Sequence, residues 1–121
     1  MAIKAIAMDI DGTLTNDQKV ISPRTREKLL AAQESGIKLI LASGRPAWGL
    51  HALAQELDLQ NHDGLLVAFN GAHVVDAQTD EVLFDQAMPA DELHRLIDHL
   101  RNFICEFGDS HPDILSIYLK E

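Results

Sequence analysis

The chain has 121 residues, with ten lysines and arginines against nineteen aspartates and glutamates, a formal net charge of −9. That length holds one core of ordinary size, and the acidic balance argues against a nucleic-acid or anionic-membrane binder. Apolar residues make up 46% and charged residues 24%, the composition of a soluble globular protein. The single cysteine, Cys105, cannot form an internal disulfide, fits a reducing compartment, and reads as a small buried hydrophobe. The opening "MAIKAIAM" is too short for a signal peptide and no apolar run reaches membrane-spanning length. A cytoplasmic protein is expected.

In chain order, Ile3 to Met8 is a short apolar segment, the pattern of a strand covered on both faces. "SPRTREKLLAAQESG" carries helix punctuation at both ends: Ser22 as N-cap, Pro23 at the first helical position, Gly36 beyond the last turn. Residues 37–42, "IKLILA", read as a second buried strand. Ser43-Gly44-Arg45-Pro46 follows, then a helix with Leu50, Leu53, Ala54 and Leu57 on one face. "LLVAF" (65–69) is a third strand, ending in Asn70-Gly71. This β-α-β-α-β order calls for an α/β fold, a Rossmann-like parallel sheet with flanking helices and right-handed crossovers. "HVVDAQTDEVLFDQ" predicts a β-hairpin turning near Gln78 to Asp80. After Pro89, Leu93, Leu96, Ile97, Leu100 and Ile104 mark an amphipathic helix.

Ligands of open parallel sheets bind at the carboxyl ends of the strands. Three such ends carry polar signals here: Asp9-Ile10-Asp11, Ser43-Gly44-Arg45 and Asn70-Gly71. Two aspartates spaced i, i+2, with Gly12 letting the backbone curl, can gather oxygen ligands around a hard divalent cation, most plausibly Mg²⁺. One carboxylate can attack phosphorus, and the other can protonate the leaving oxygen and later activate water. Ser43, read as preceding a helix, offers its hydroxyl and the first backbone N–H groups to an anion. The pieces suit phosphoryl transfer, where positioning and charge neutralisation supply most of the catalysis.

"MDIDGTLT" resembles the first motif of the haloacid dehalogenase (HAD) superfamily of phosphohydrolases, DxDGTLx. "LASGRP" is similar to its second motif in the Cof-type branch of sugar-phosphate-type phosphatases, and "FNGAHVVD" to the segment leading that branch into its cap. The resemblance covers about residues 1 to 104. It implies that Asp9 is the nucleophile and a metal ligand. Asp11 would be the general acid/base, with its backbone carbonyl on Mg²⁺. Ser43 would bind the phosphoryl group, assisted by the backbone N–H groups of Ile10 and Gly44; Asn70 lies at the matching strand end. Residues 1–72 would form the core carrying the first two motifs, and 73–121, with the hairpin and helix, the start of a cap or a shortened remainder of the core. The substrate would be a small phosphorylated metabolite, with no nucleic-acid or membrane partner. An exposed sheet or partial cap would favour a homo-oligomer.

The family also uses a lysine that pairs with the nucleophile, and an acidic motif, often GDxxxD. Between Gly71 and Asp109 there is no lysine; Arg95 and Arg101 could stand in but read more simply as solvated helix residues. Gly108-Asp109-Ser110 with Asp113 matches GDSxxD, whereas "ILSIYL" reads instead as a further strand of a cap, the preferred alternative. Blander readings stand beside the sharp ones. The Asp pair could cap a turn, and Ser43 alone could be a helix cap. Trp48 reads as core or shoulder packing, His94 and His99 as surface residues, and the acids from Asp76 to Asp85 as a solvated hairpin face. Two rival classes remain. One is a catalytically incomplete HAD core acting as a binding or interaction module. The other, ranked lower, is a receiver-like signalling module, which needs an aspartate where Asn70 stands.

Overall fold

A computed structural model describes residues 3–108, and beyond Asn102 it describes only the course of the final helix. Its elements are β1 (Ala5–Asp9), α1 (Pro23–Glu34), β2 (Lys38–Ala42), α2 (His51–Glu56), β3 (Leu65–Ala68), β4 (His73–Asp76), β5 (Val82–Asp85) and α3 (Ala90–Gly108). The strands form one sheet in the order β1-β2-β3-β4-β5. β1, β2 and β3 run parallel, and β4 and β5 return antiparallel. The expected Rossmann-like α/β fold is therefore present, with the parallel strands joined by helical crossovers.

Local chemistry sets α1. The Ser22 hydroxyl accepts from the Thr25 N–H at 3.1 Å, and Pro23 supplies a preset φ at the first turn. At the other end Gly36, at φ +84°, reverses the chain. There the Ile37 N–H reaches the Ala32 carbonyl at 3.1 Å, which satisfies a carbonyl the helix leaves open. Alternate residues of β2 point to opposite faces, and Leu39 and Leu41 are fully enclosed. They meet Ile10, Leu50, Leu57, Leu59 and Leu66 in the core. Gln33 of α1 is buried as well and donates to the Leu57 carbonyl at 2.6 Å, pinning α1 to the end of α2.

One expectation fails at β1, which is not covered on both faces. Ala5 and Ala7 are exposed and Ile6 and Met8 only half-buried. The exposure alternates, so one face of β1 is open, and among the described residues β1 bonds only to β2, which makes it an edge strand as well. Apolar content cannot distinguish an edge from a central position, because neighbours decide it.

The hairpin of β4 and β5 turns as expected. Asp76 Oδ1 accepts from the N–H groups of Gln78 at 2.8 Å and Thr79 at 2.9 Å. The Thr79 N–H, then that of Gln78, holds the Asp76 carboxyl below the ordinary aspartate value of 3.8. A lowered folded-state pKa contributes stability that is complete above the unfolded value and lost as pH falls through the folded one. Asp76→Asn is thus expected to melt below the wild type at pH 7, with a smaller gap once the pH is taken well below 3.8. Thermal melts at the two pH values check this. The hairpin acids are also more than a solvated face, since Asp80 lies 3.1 Å from His51 Nε2 and Asp85 lies 3.1 Å from His73 Nδ1.

The chain divides into two compact units, one ending at Ala87 and the other starting at Met88. In the second unit α3 exposes Leu93, Leu96, Ile97 and Leu100 along one side, the spacing of an amphipathic face. Arg95 pairs with Glu92 at 3.0 Å and Arg101 with Asp98 at 3.9 Å, so both arginines are solvated helix residues. His94 and His99 are exposed. The side chain of Cys105, the Asp109-Ser110 and Asp113 pattern and the "ILSIYL" segment lie outside the described residues. Among the described residues no helix is long and apolar enough to cross a membrane.

Candidate active site

The site starts where β1 runs out. Asp9 is its last residue and is exposed, whereas Ile10 is fully buried. The Ile10 carbonyl accepts from the N–H groups of Thr13 at 3.3 Å and Thr15 at 2.9 Å, and from the Thr15 hydroxyl at 3.1 Å. Leu14 and Thr15 are buried and anchor the far side of this turn. Gly12 takes φ +80° at its tip, a conformation that favours glycine. Asp9 and Asp11 therefore stand on the solvent side of a loop that Ile10, Leu14 and Thr15 fix to the core.

β2 delivers the second group. Asp9 pairs with Ala42 in the parallel register, so Ser43 begins one residue beyond the Asp9 level. The Ser43 N–H donates to the Val67 carbonyl at 2.9 Å. Its hydroxyl accepts from the Arg45 N–H at 3.2 Å, closing a local turn. Here the helix-cap expectation fails. The next helical turn is a 3-10 turn over Ala47–Gly49, and α2 begins only at His51. Pro46 disfavours a helical conformation at the residue before it, so the helix is delayed and Ser43 does not cap it. The hydroxyl is present at the rim, but the helix N-terminus is not.

The third strand end is strained. Phe69, Asn70 and Gly71 take φ of +49°, +56° and +96° in succession. For non-glycine residues such backbone costs about 1–3 kcal/mol each and persists only where the surroundings impose it. They are held by the second strand end: the Phe69 N–H donates to the Arg45 carbonyl at 3.0 Å and the Asn70 N–H to the Ser43 carbonyl at 3.1 Å. Gly44 eases the fit, because a Cβ there would lie 3.0 Å from Asn70 Oδ1 and the amide would have to give way slightly. The three strand ends singled out from the sequence do meet on one edge of the sheet. Trp48 does not pack as expected; it is 78% exposed on the turn after Arg45.

The electrostatic centre of the rim is Asp11. Its Oδ1 accepts from Arg45 NH2 at 2.7 Å and from Lys19 Nζ at 2.9 Å. Lys19, and next Arg45, holds the Asp11 carboxyl below its ordinary value. Lys19 is the residue that sequence reading missed, because cations were sought beyond Gly71. The available signal was Asn16-Asp17-Gln18, a turn-forming run that brings residue 19 back toward residue 11.

The donor set suits Mg²⁺. Its oxygens are hard: the Asp9 carboxylate and the Asp11 main-chain carbonyl could hold the ion, while Asp11 Oδ1 is already engaged by cations. Among the described residues no cluster of three His, Cys, Asp or Glu side chains completes a cage. Mg²⁺ does not need one, since it keeps water and substrate oxygens in its shell.

The parallel strands of this α/β sheet thus bring a carboxylate pair, a serine and two cations to one carboxyl edge, the place where such sheets bind ligands. Residues 6–117 match the family described as haloacid dehalogenase-like hydrolase, and the chain belongs to that family. It is 38% identical over 95 residues to "Putative phosphatase YxeH" of Bacillus subtilis, across 78% of this chain and 35% of that one. It is 34% identical over 100 residues to "Pyridoxal phosphate phosphatase YbhA" of Escherichia coli, across 83% and 36%. A crystal structure of a haloacid dehalogenase-like hydrolase from Bacteroides thetaiotaomicron superposes with a TM-score of 0.78 at 39% identity, over 84% of this chain and 38% of that chain. The chain spans about a third of the length of the curated relatives it matches.

Proposed function

We propose that this chain carries the nucleophile half of a phosphatase acting on small phosphomonoesters, of the sugar-phosphate type, through an aspartyl-phosphate on Asp9. The reading rests above all on the meeting of Asp9, Asp11 and Ser43 at adjacent strand ends, tied by the 2.7 Å contact between Arg45 and Asp11. An Asp9 carboxylate oxygen attacks phosphorus, and the bond from phosphorus to the leaving oxygen breaks. Asp11, whose carboxyl must first take up a proton against the pull of Lys19 and Arg45, gives it to that oxygen. As a carboxylate, Asp11 then takes a proton from the water that attacks the phosphorus, releasing inorganic phosphate and restoring Asp9. The Ser43 hydroxyl and the N–H groups of Ile10 and Gly44 hold the phosphoryl oxygens. A bound Mg²⁺ supplies charge neutralisation at those oxygens.

In this reading residues 1–72 bear the first two motifs and 73–121 begin a cap or a shortened remainder of the core. The setting is the cytoplasm, with no nucleic-acid or membrane partner, and the exposed β1 edge favours pairing of copies. Hydrolysis of p-nitrophenyl phosphate by the purified chain, with Mg²⁺ and after chelation, tests the reading. Turnover that falls to background on chelation and returns with Mg²⁺ is expected. A folded chain with no turnover under either condition would instead make it a binding module.

A further inference from the structure

The loop from Asn16 to Val20 is built around one residue. Asn16 Oδ1 accepts from the N–H groups of Gln18 at 2.9 Å and Val20 at 3.2 Å. The Asn16 N–H donates to the Val20 carbonyl at 3.0 Å, and the Lys19 N–H to the Asn16 carbonyl at 2.9 Å. Within that frame Lys19 sits at φ +61°. The turn's own hydrogen bonds hold the lysine in the left-handed region, which costs ~1 kcal/mol or more for such a residue. What the conformation achieves is the placement of Nζ 2.9 Å from Asp11 Oδ1.

Arg45 reaches the same oxygen from the end of β2. One carboxylate oxygen thus takes two cations, where one would neutralise its charge. Both cations are open to solvent, Lys19 at 65% and Arg45 at 38% of the side chain, so neither is locked in place by packing.

We propose that Lys19 is a substrate-contacting residue, whose ammonium moves with the Arg45 guanidinium from Asp11 onto the oxygens of the bound phosphoryl group. This rests on the phosphatase reading above. Charge accounting favours it. In the free rim Asp9 and Asp11 cancel Lys19 and Arg45, and an arriving phosphomonoester dianion brings two further negative charges for those cations to meet. The chain's net charge of −9 repels a dianion at long range, so attraction must come from cations at the rim. The two cations divide the work by shape: guanidinium offers a planar fork and ammonium a mobile point charge that can follow the phosphoryl group.

Calorimetric titration with inorganic phosphate, in the presence of Mg²⁺, tests the assignment. Lys19→Met is expected to weaken phosphate binding by about tenfold to a hundredfold, the worth of a charged hydrogen bond. Lys19→Arg should recover most of it. KM for p-nitrophenyl phosphate should rise in Lys19→Met, with its melting temperature unchanged. Phosphate bound by Lys19→Met within about twofold of the wild type overturns the assignment and leaves the phosphatase reading standing; Lys19 would then only position Asp11. A wild-type chain that neither binds phosphate nor turns over substrate overturns both.

Discussion

Asp9→Asn is expected to lower turnover of p-nitrophenyl phosphate by at least about 10⁴-fold while leaving the melting temperature unchanged. The size follows from the role. An amide of the same shape cannot attack phosphorus, and the other carboxylate of the rim, Asp11, stands two residues on in the loop, where its part is to move the proton. The neutrality of the change for folding follows from position. Asp9 ends β1 with its side chain exposed, and among the described residues its carboxylate takes part in no hydrogen bond or ion pair. Steady-state kinetics beside a thermal melt give both readings. Activity retained within about tenfold would remove Asp9 as the nucleophile.

Leu41→Ala is expected to give the largest loss of stability, about 2–5 kcal/mol. Leu41 is fully enclosed in β2, where it pairs in register with Met8 of β1 and Leu66 of β3. Truncation leaves a cavity beneath the strand that delivers Ser43, and a domain of this size holds only about 5–15 kcal/mol in all. Activity should therefore fall with stability and recover at low temperature. Leu83→Ala on β5, where the side chain is 52% exposed, should cost less than about 1 kcal/mol. Urea denaturation of the two variants compares them directly.

How much could be read in the sequence depended on how local the cause was. α1 was legible to within a residue because Ser22, Pro23 and Gly36 act on their own neighbours. The hairpin turn was legible through Asp76 and Thr79 for the same reason. The convergence of Asp9, Ser43 and Asn70 was legible because parallel strands must end on one edge. Four features were not. The exposure of β1 depends on which strands stand beside it, and Ala5 and Ala7 read the same either way. Ser43 reads as a cap until Pro46 is seen to delay the helix to His51. Lys19 comes back to Asp11 through the turn at Asn16-Asp17-Gln18, and that run signals a turn without announcing a lysine at positive φ. The run of left-handed residues from Phe69 to Gly71 was likewise hidden, since only Asn70-Gly71 hints at it. Strain at Lys19 and at Phe69 falls beside the candidate site, where local rules are most often broken for function.

The most direct test of the account is acid quench of the chain during turnover of p-nitrophenyl phosphate with Mg²⁺, followed by peptide mass spectrometry. The account predicts a peptide heavier by one phosphoryl group, with the modification on Asp9 and absent from Asp9→Asn. Steady turnover with the Asp9 peptide unmodified, or a phosphoryl group on another residue, would contradict it.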